Sequence, residues 1–158
     1  MYRLFLIVPL AFAAPLAAQN SDSAYRGVQE RGKMVMGVDQ YTSRHRFEPA
    51  ADGGSIVLVR DSTDTTGVAT IRAHLQKIAQ AFAAGDFTLP GVVHAQEVPG
   101  TRIMTQKKSV IRYAYHPLAG GGEVRIVTRD SAAVAAVHDF LTFQRMDHRA
   151  GMEGMTHH

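Results

Sequence analysis

Phe47-Glu48-Pro49-Ala50-Ala51-Asp52-Gly53-Gly54-Ser55-Ile56 laid over Tyr115-His116-Pro117-Leu118-Ala119-Gly120-Gly121-Gly122-Glu123-Val124 decides the fold. Aromatic, proline, the Gly-Gly pair and the following branched residue coincide. Downstream, Arg60-Asp61-Ser62 matches Arg129-Asp130-Ser131, and the apolar triads Val68/Ile71/Leu75 and Val134/Val137/Leu141 repeat at helical spacing. Each copy therefore reads strand, Gly-rich hairpin turn, strand, a Ser or Asp cap, then helix. The expected fold is α+β: two ββα repeats forming a four-stranded antiparallel sheet with two helices on one face.

Working outward, repeat 1 spans about 41–84 and repeat 2 about 103–150, both within one domain over 34–150. Between them, 85–100 holds Pro90-Gly91 and Pro99-Gly100 without sustained periodicity, which predicts a long crossing loop. The segment 19–33 is polar with two glycines and reads as a flexible leader. Met104 is placed at the start of the next strand, and 151–158 forms a Met/His tail.

The amino-terminal 1–18 has the pattern of a Sec-type signal peptide. One positive charge at Arg3 precedes an uncharged run from Leu4 to the small pair Ala17-Ala18. The run is short for a membrane span and is followed by Gln19-Asn20-Ser21-Asp22, so cleavage after Ala18 and residence in the periplasm or outside the cell are expected. Losing Arg3 from 17 basic residues leaves 16 against 14 acidic ones, a formal charge of +2. That charge predicts no nucleic-acid partner, and the cluster Arg102, Lys107, Lys108, Arg112 reads as a solvated strand face. With no cysteine, the fold rests on packing and has no thiol chemistry.

Nucleophilic hydrolysis finds no support, because there is no Gly-x-Ser-x-Gly elbow and no cysteine. Gly120-Gly121-Gly122 lacks the following Lys-Ser or Lys-Thr of a phosphate loop, and Asp61, Asp64 and Asp130 read as turn and cap residues. The chemistry that remains is histidine, eight residues in all. His45 shares a strand face with Tyr41 and Phe47, where the second repeat has Tyr113. His148 stands where the first repeat has Phe82, His74 where the second has Phe140, and His138 where the first has Arg72. His94 lies in the crossing loop, able to close over such a site.

Imidazole suits zinc, copper and nickel, and without cysteine the soft donor is methionine, Met104 among others. The candidate metal ligands are thus His45, His74, His94, His138, His148 and Met104, with copper the first choice and zinc the second. The runs Met36-Gly37-Val38-Asp39-Gln40-Tyr41-Thr42-Ser43-Arg44-His45-Arg46-Phe47 and Val137-His138-Asp139-Phe140-Leu141-Thr142-Phe143-Gln144-Arg145-Met146-Asp147-His148 resemble a family of small exported bacterial proteins of unknown function. Some members of that family bear an aspartate carbamoyltransferase name. The Ser-Thr-Arg-Thr phosphate motif which that activity requires is absent from this chain.

The leading expectation is an exported protein that binds or delivers a transition metal, with a metal ion and an envelope protein as partners and no stable membrane insertion. Two alternatives stand beside it: a small exported enzyme using a buried histidine as acid or base under the 85–100 segment, and an envelope interaction module without chemistry.

Overall fold

In the computed structural model, which describes residues 16–151, the chain runs α1 (Leu16–Met36), β1 (Ser43–Ala50), β2 (Gly53–Arg60), α2 (Thr65–Ala83), α3 (Thr88–His94), α4 (Thr101–Gln106), β3 (Ile111–Leu118), β4 (Gly121–Thr128) and α5 (Ser131–Asp147). The sheet is antiparallel throughout, in the order β1-β2-β4-β3, so the two hairpins meet along their second strands. The fold is α+β, built from two ββα units.

Both repeated helices start in the same way. The Asp64 carboxylate accepts from the Gly67 amide and the Asp130 carboxylate from the Ala133 amide, each satisfying a backbone donor that the first helical turn leaves free. Asp64, and not Asp61, is thus the counterpart of Asp130; Asp61 instead closes the preceding turn on Thr63.

The helices are exchanged between the hairpins. α2, from the first unit, packs chiefly on β3 and β4, while α5, from the second, packs on β1 and β2. The glycine pairs make this possible, though not as hairpin tips, where the sequence suggested them. The tips are Ala51-Asp52 and Ala119-Gly120, and each pair opens the returning strand. A Cβ on Gly54 would collide with Leu141 of α5, and one on Gly122 would lie 3.1 Å from Leu75 of α2. Gly54 matches Gly122 in the repeat just as Leu141 matches Leu75, so each hairpin admits the other unit's leucine. Ile71, Leu75 and Phe82 then meet Val137, Phe140 and Leu141 over Leu58, Val124 and Ile126 in one core.

Three segments depart from the sequence reading. Residues 19–33 lie within α1 and do not form a flexible leader. Val28, Gly32, Val35 and Met36 recur at helical spacing, and Val28 and Met36 are buried, so a narrow stripe in a polar segment is enough to dock it. The helix runs through the expected cleavage point after Ala18, and residues 1–15 of the expected signal lie outside the described residues. The 85–100 segment is not all loop, since α3 occupies its middle and packs against α1. Met104 sits in α4, ahead of the strand that begins at Ile111, and the Arg102/Lys107/Lys108 cluster accordingly lies on α4 and the turn after it, with Lys107 paired to Asp130. Among the described residues, no helix is long and apolar enough to cross a membrane.

The exchange carries a direct test. Gly54→Ala should cost about 1–3 kcal/mol by overpacking. In a urea-denaturation double-mutant cycle with Leu141→Ala, the combined loss should fall short of the sum of the single losses, because the two sites share one contact.

Candidate functional site: a histidine-lined cavity

A cavity of about 80 Å³ lies between the end of α5, the start of β1 and the α1/α3 pair. Its walls are mainly apolar, with Phe47, Leu58, Ile78, Phe82, Val93 and Phe140 among them. Four imidazoles stand in those walls: His45 from β1, His74 from α2, His94 from α3 and His148 from the residue that caps α5. Helix exchange is what assembles them, for it carries the end of the second unit's helix onto the first strand of the first unit.

The His45 and His148 rings are 4.9 Å apart and nearly parallel, 18° between planes, and His45 also stacks on Phe47 at 5.9 Å. His94 meets His148 edge-on, with centroids 5.0 Å apart. His74 lies near enough to His45 to act on its charge. The four thus form a row, His74, His45, His148, His94.

His94 alone is fully engaged: Nδ1 bonds the Asp147 carboxylate, and Nε2 lies 2.9 Å from Gln144 Oε1. The two contacts, to Asp147 and Gln144, fix the orientation of the ring. His148 Nδ1 is buried without a partner, and His45 and His74 make no hydrogen bond among the described residues. His45 and His74 are half-buried, so the His148 Nδ1 atom is the anomaly, because buried polar groups are nearly always paired.

The repeat shows what an ordinary packing solution looks like at the same places. Tyr113, Phe82 and Phe140, the counterparts of His45, His148 and His74, form an aromatic trio, with Phe82 5.9 Å from Tyr113 and 5.7 Å from Phe140. The two triplets occupy matching positions in the two halves. Phe82 and Phe140 also line the cavity, so the aromatic trio and the imidazoles adjoin, and each set carries one buried polar atom without a partner, Tyr113 Oη and His148 Nδ1.

The remaining candidates lie elsewhere. His138 Nε2 bonds the Ala50 carbonyl at 2.8 Å, and its counterpart Arg72 bonds the Leu118 carbonyl at the equivalent turn, so both residues clamp a hairpin. Met104 is fully buried in the core and does not line the cavity. The tail residues Met152, Met155, His157 and His158 lie outside the described residues. Sequence reasoning missed Gln144 and Asp147, which hold His94, and the α1 residues Gly32, Val35 and Met36, which complete the wall. The i, i+3 spacing of Gln144 and Asp147 was visible, but nothing linked it to a histidine 50 residues upstream.

Comparison with protein-family models, curated proteins and solved structures finds no match. The site has to be read from its own chemistry. Among the described residues, no three His, Asp or Glu side chains stand in a metal-holding arrangement as they are placed.

Burial strips these rings of protons. It pushes His45 down to about 4, aided by His74, and His74 down to about 4, aided by Lys77. His148 is held well below its usual value by burial and by His45 and His94. Between pH 6.5 and about 4 the unfolded chain therefore binds protons that the folded chain refuses. Stability must fall as pH drops through that window, and goes on falling below it as His148 and the lowered carboxylates of Asp52, Asp61, Asp86 and Asp130 take up protons. A displacement from 6.5 to about 4 corresponds to about 3 kcal/mol per group. Urea midpoints of the metal-free protein should accordingly decline from pH 7 to 4.5, and the slope should flatten in a His45→Tyr, His74→Phe variant.

Proposed function

We propose that this chain is an exported metal-binding protein, holding a late transition-metal ion, copper before zinc, on the imidazoles of the cavity. The supporting observation is the imidazole triplet at positions where the other half of the molecule carries Tyr113, Phe82 and Phe140. If those positions served only packing, carbon rings such as Phe82 and Phe140 would fill them without leaving a nitrogen unpaired. Keeping His148 there costs stability, because its Nδ1 loses water and gains no partner. A metal ion supplies the missing partner, and neutral imidazole is the form that ligates.

His45 and His148 sit at the centre of the row and are the primary ligands, with His74 beside them; His94, whose two nitrogens are already engaged, borders the set without a free donor. Asp147 and Gln144 occupy both ring nitrogens of His94 and hold it as a fixed edge against His148.

One observation favours a second reading, that of an enzyme using a histidine as acid or base: the His94–Asp147 pair has the form of a base with its orienting carboxylate. Against it, the His94 side chain is only 1% exposed and its second nitrogen faces Gln144.

Elemental analysis of the untagged mature protein tests the proposal. About one equivalent of transition metal is expected per wild-type chain, and none in a His45→Tyr, His148→Phe variant copying the aromatic half. That variant should also be more stable than the metal-free wild type by roughly 1–3 kcal/mol. A wild-type protein that neither carries metal nor takes it up would overturn the proposal.

A further inference from the structure

We infer that α1 is a strap that closes the cavity and comes away from it as a unit at Gly37, held shut by two arginines, Arg149 and Arg31. Such a strap governs access for any occupant, so it goes beyond the metal-binding reading and does not need it. Gly32, Val35 and Met36 of α1 form one wall of the cavity, and Leu89, Pro90 and Val93 of α3 form another. α3 is anchored, because its His94 bonds Asp147 and Gln144 at the end of α5. α1 packs chiefly on α3 and is rooted at one end only. Its last residue, Met36, belongs to the main core, whereas the buried Val28 lies outside it.

The ties come from opposite sides. Arg149 follows His148, the cap of α5, and has a φ of 50°, a left-handed conformation that glycine usually takes after a helix. From there its guanidinium donates to the Ser21 carbonyl at 3.2 Å and to Asp22 Oδ1 at 2.7 Å, and lies 4.4 Å from the centroid of the Tyr25 ring. A disfavoured backbone conformation kept at a residue with three contacts to one helix points to the reach for that helix as its task. Farther along α1, Arg31 Nε donates to the Val93 carbonyl at 2.7 Å. Each tie thus lies one residue from a cavity histidine, Arg149 beside His148 and Val93 beside His94.

These ties are of a kind that releases. The Asp22 side chain is 64% exposed, and exposed ion pairs contribute little and weaken with salt. Docking also leaves Gln29 Oε1 buried without a partner, which opposes the closed state. At the rooted end Gly37 has a φ of 78°, and just beyond it the chain is fixed, since Asp39 accepts from the Tyr41 amide and from the Thr42 and Ser43 hydroxyls. A glycine between a helix and a fixed turn can absorb a change of direction. Once undocked, α1 loses its narrow buried stripe and its helix melts, while the sheet, α2 and α5 keep the main core.

The test is amide hydrogen exchange of the full mature, metal-free protein, with carbethoxylation of His148 by diethyl pyrocarbonate as a second readout and the exposed His116 as its internal reference. The α1 amides should exchange about a hundredfold faster than those of β2 and β4, and faster still at high salt. Asp22→Ala combined with Arg31→Met changes α1 alone and no residue of the cavity wall. It should speed α1 exchange and His148 labelling about tenfold and leave the strand amides and His116 as they were. A bis-maleimide bridge between Asp22→Cys and Arg149→Cys, selective in a chain without native cysteine, should slow both. α1 amides exchanging no faster than those of β2 and β4 would overturn the strap, because its opening would then be global unfolding. So would His148 labelling indifferent to both the double variant and the bridge. Whether metal binds decides the earlier reading and leaves this one standing.

Discussion

The exchange of helices between two hairpins is the constraint on which the rest of the structure depends. α2 and α5 each lie on strands contributed by the other unit, and each seats a leucine against a glycine that opens a returning strand. Each ββα unit lays its helix mainly on the other unit's hairpin, so the core is shared between them. The same exchange sets the end of α5 against β1, bringing His148 to His45 and leaving a space that α1 and α3 roof over. Core and cavity thus follow from one packing arrangement.

The two halves use equivalent positions for opposite ends. Phe82, Tyr113 and Phe140 fill theirs with edge-to-face aromatic contacts, which add to the gain from burial. His45, His74 and His148 leave theirs partly hollow and partly unsatisfied. The aromatic half, with the shared core beneath it, holds the molecule together while the other half carries the imidazoles.

The repeat made much of this legible in the sequence. Matching Gly-Gly pairs and apolar triads gave the element order and the sheet, and setting the copies side by side singled out His45, His74 and His148 as polar residues where an aromatic belonged. His138 came out by the same rule, but its counterpart is Arg72, a polar residue, and the two share a hydrogen-bonding task. The rule therefore holds where the counterpart is aromatic. α1 was not legible because its apolar stripe is narrow and interrupted by Gly32, so its helix depends on docking more than on propensity. α3 was obscured by Pro90-Gly91, which lie within its seven residues. Helix exchange was beyond any reading of local pattern, since a hairpin and a helix in sequence say nothing of which hairpin the helix will cover.

The matching caps, turns and leucine seats give the molecule the plan of a two-fold dimer whose subunits have been joined end to end. In a true dimer of identical units every substitution appears twice, and a histidine placed in one pocket would have to be tolerated in its mate. Joining the copies into a single chain lifts that obligation. Asymmetry becomes available to a symmetric plan, and the two pockets are free to diverge, one toward rigidity and the other toward chemistry.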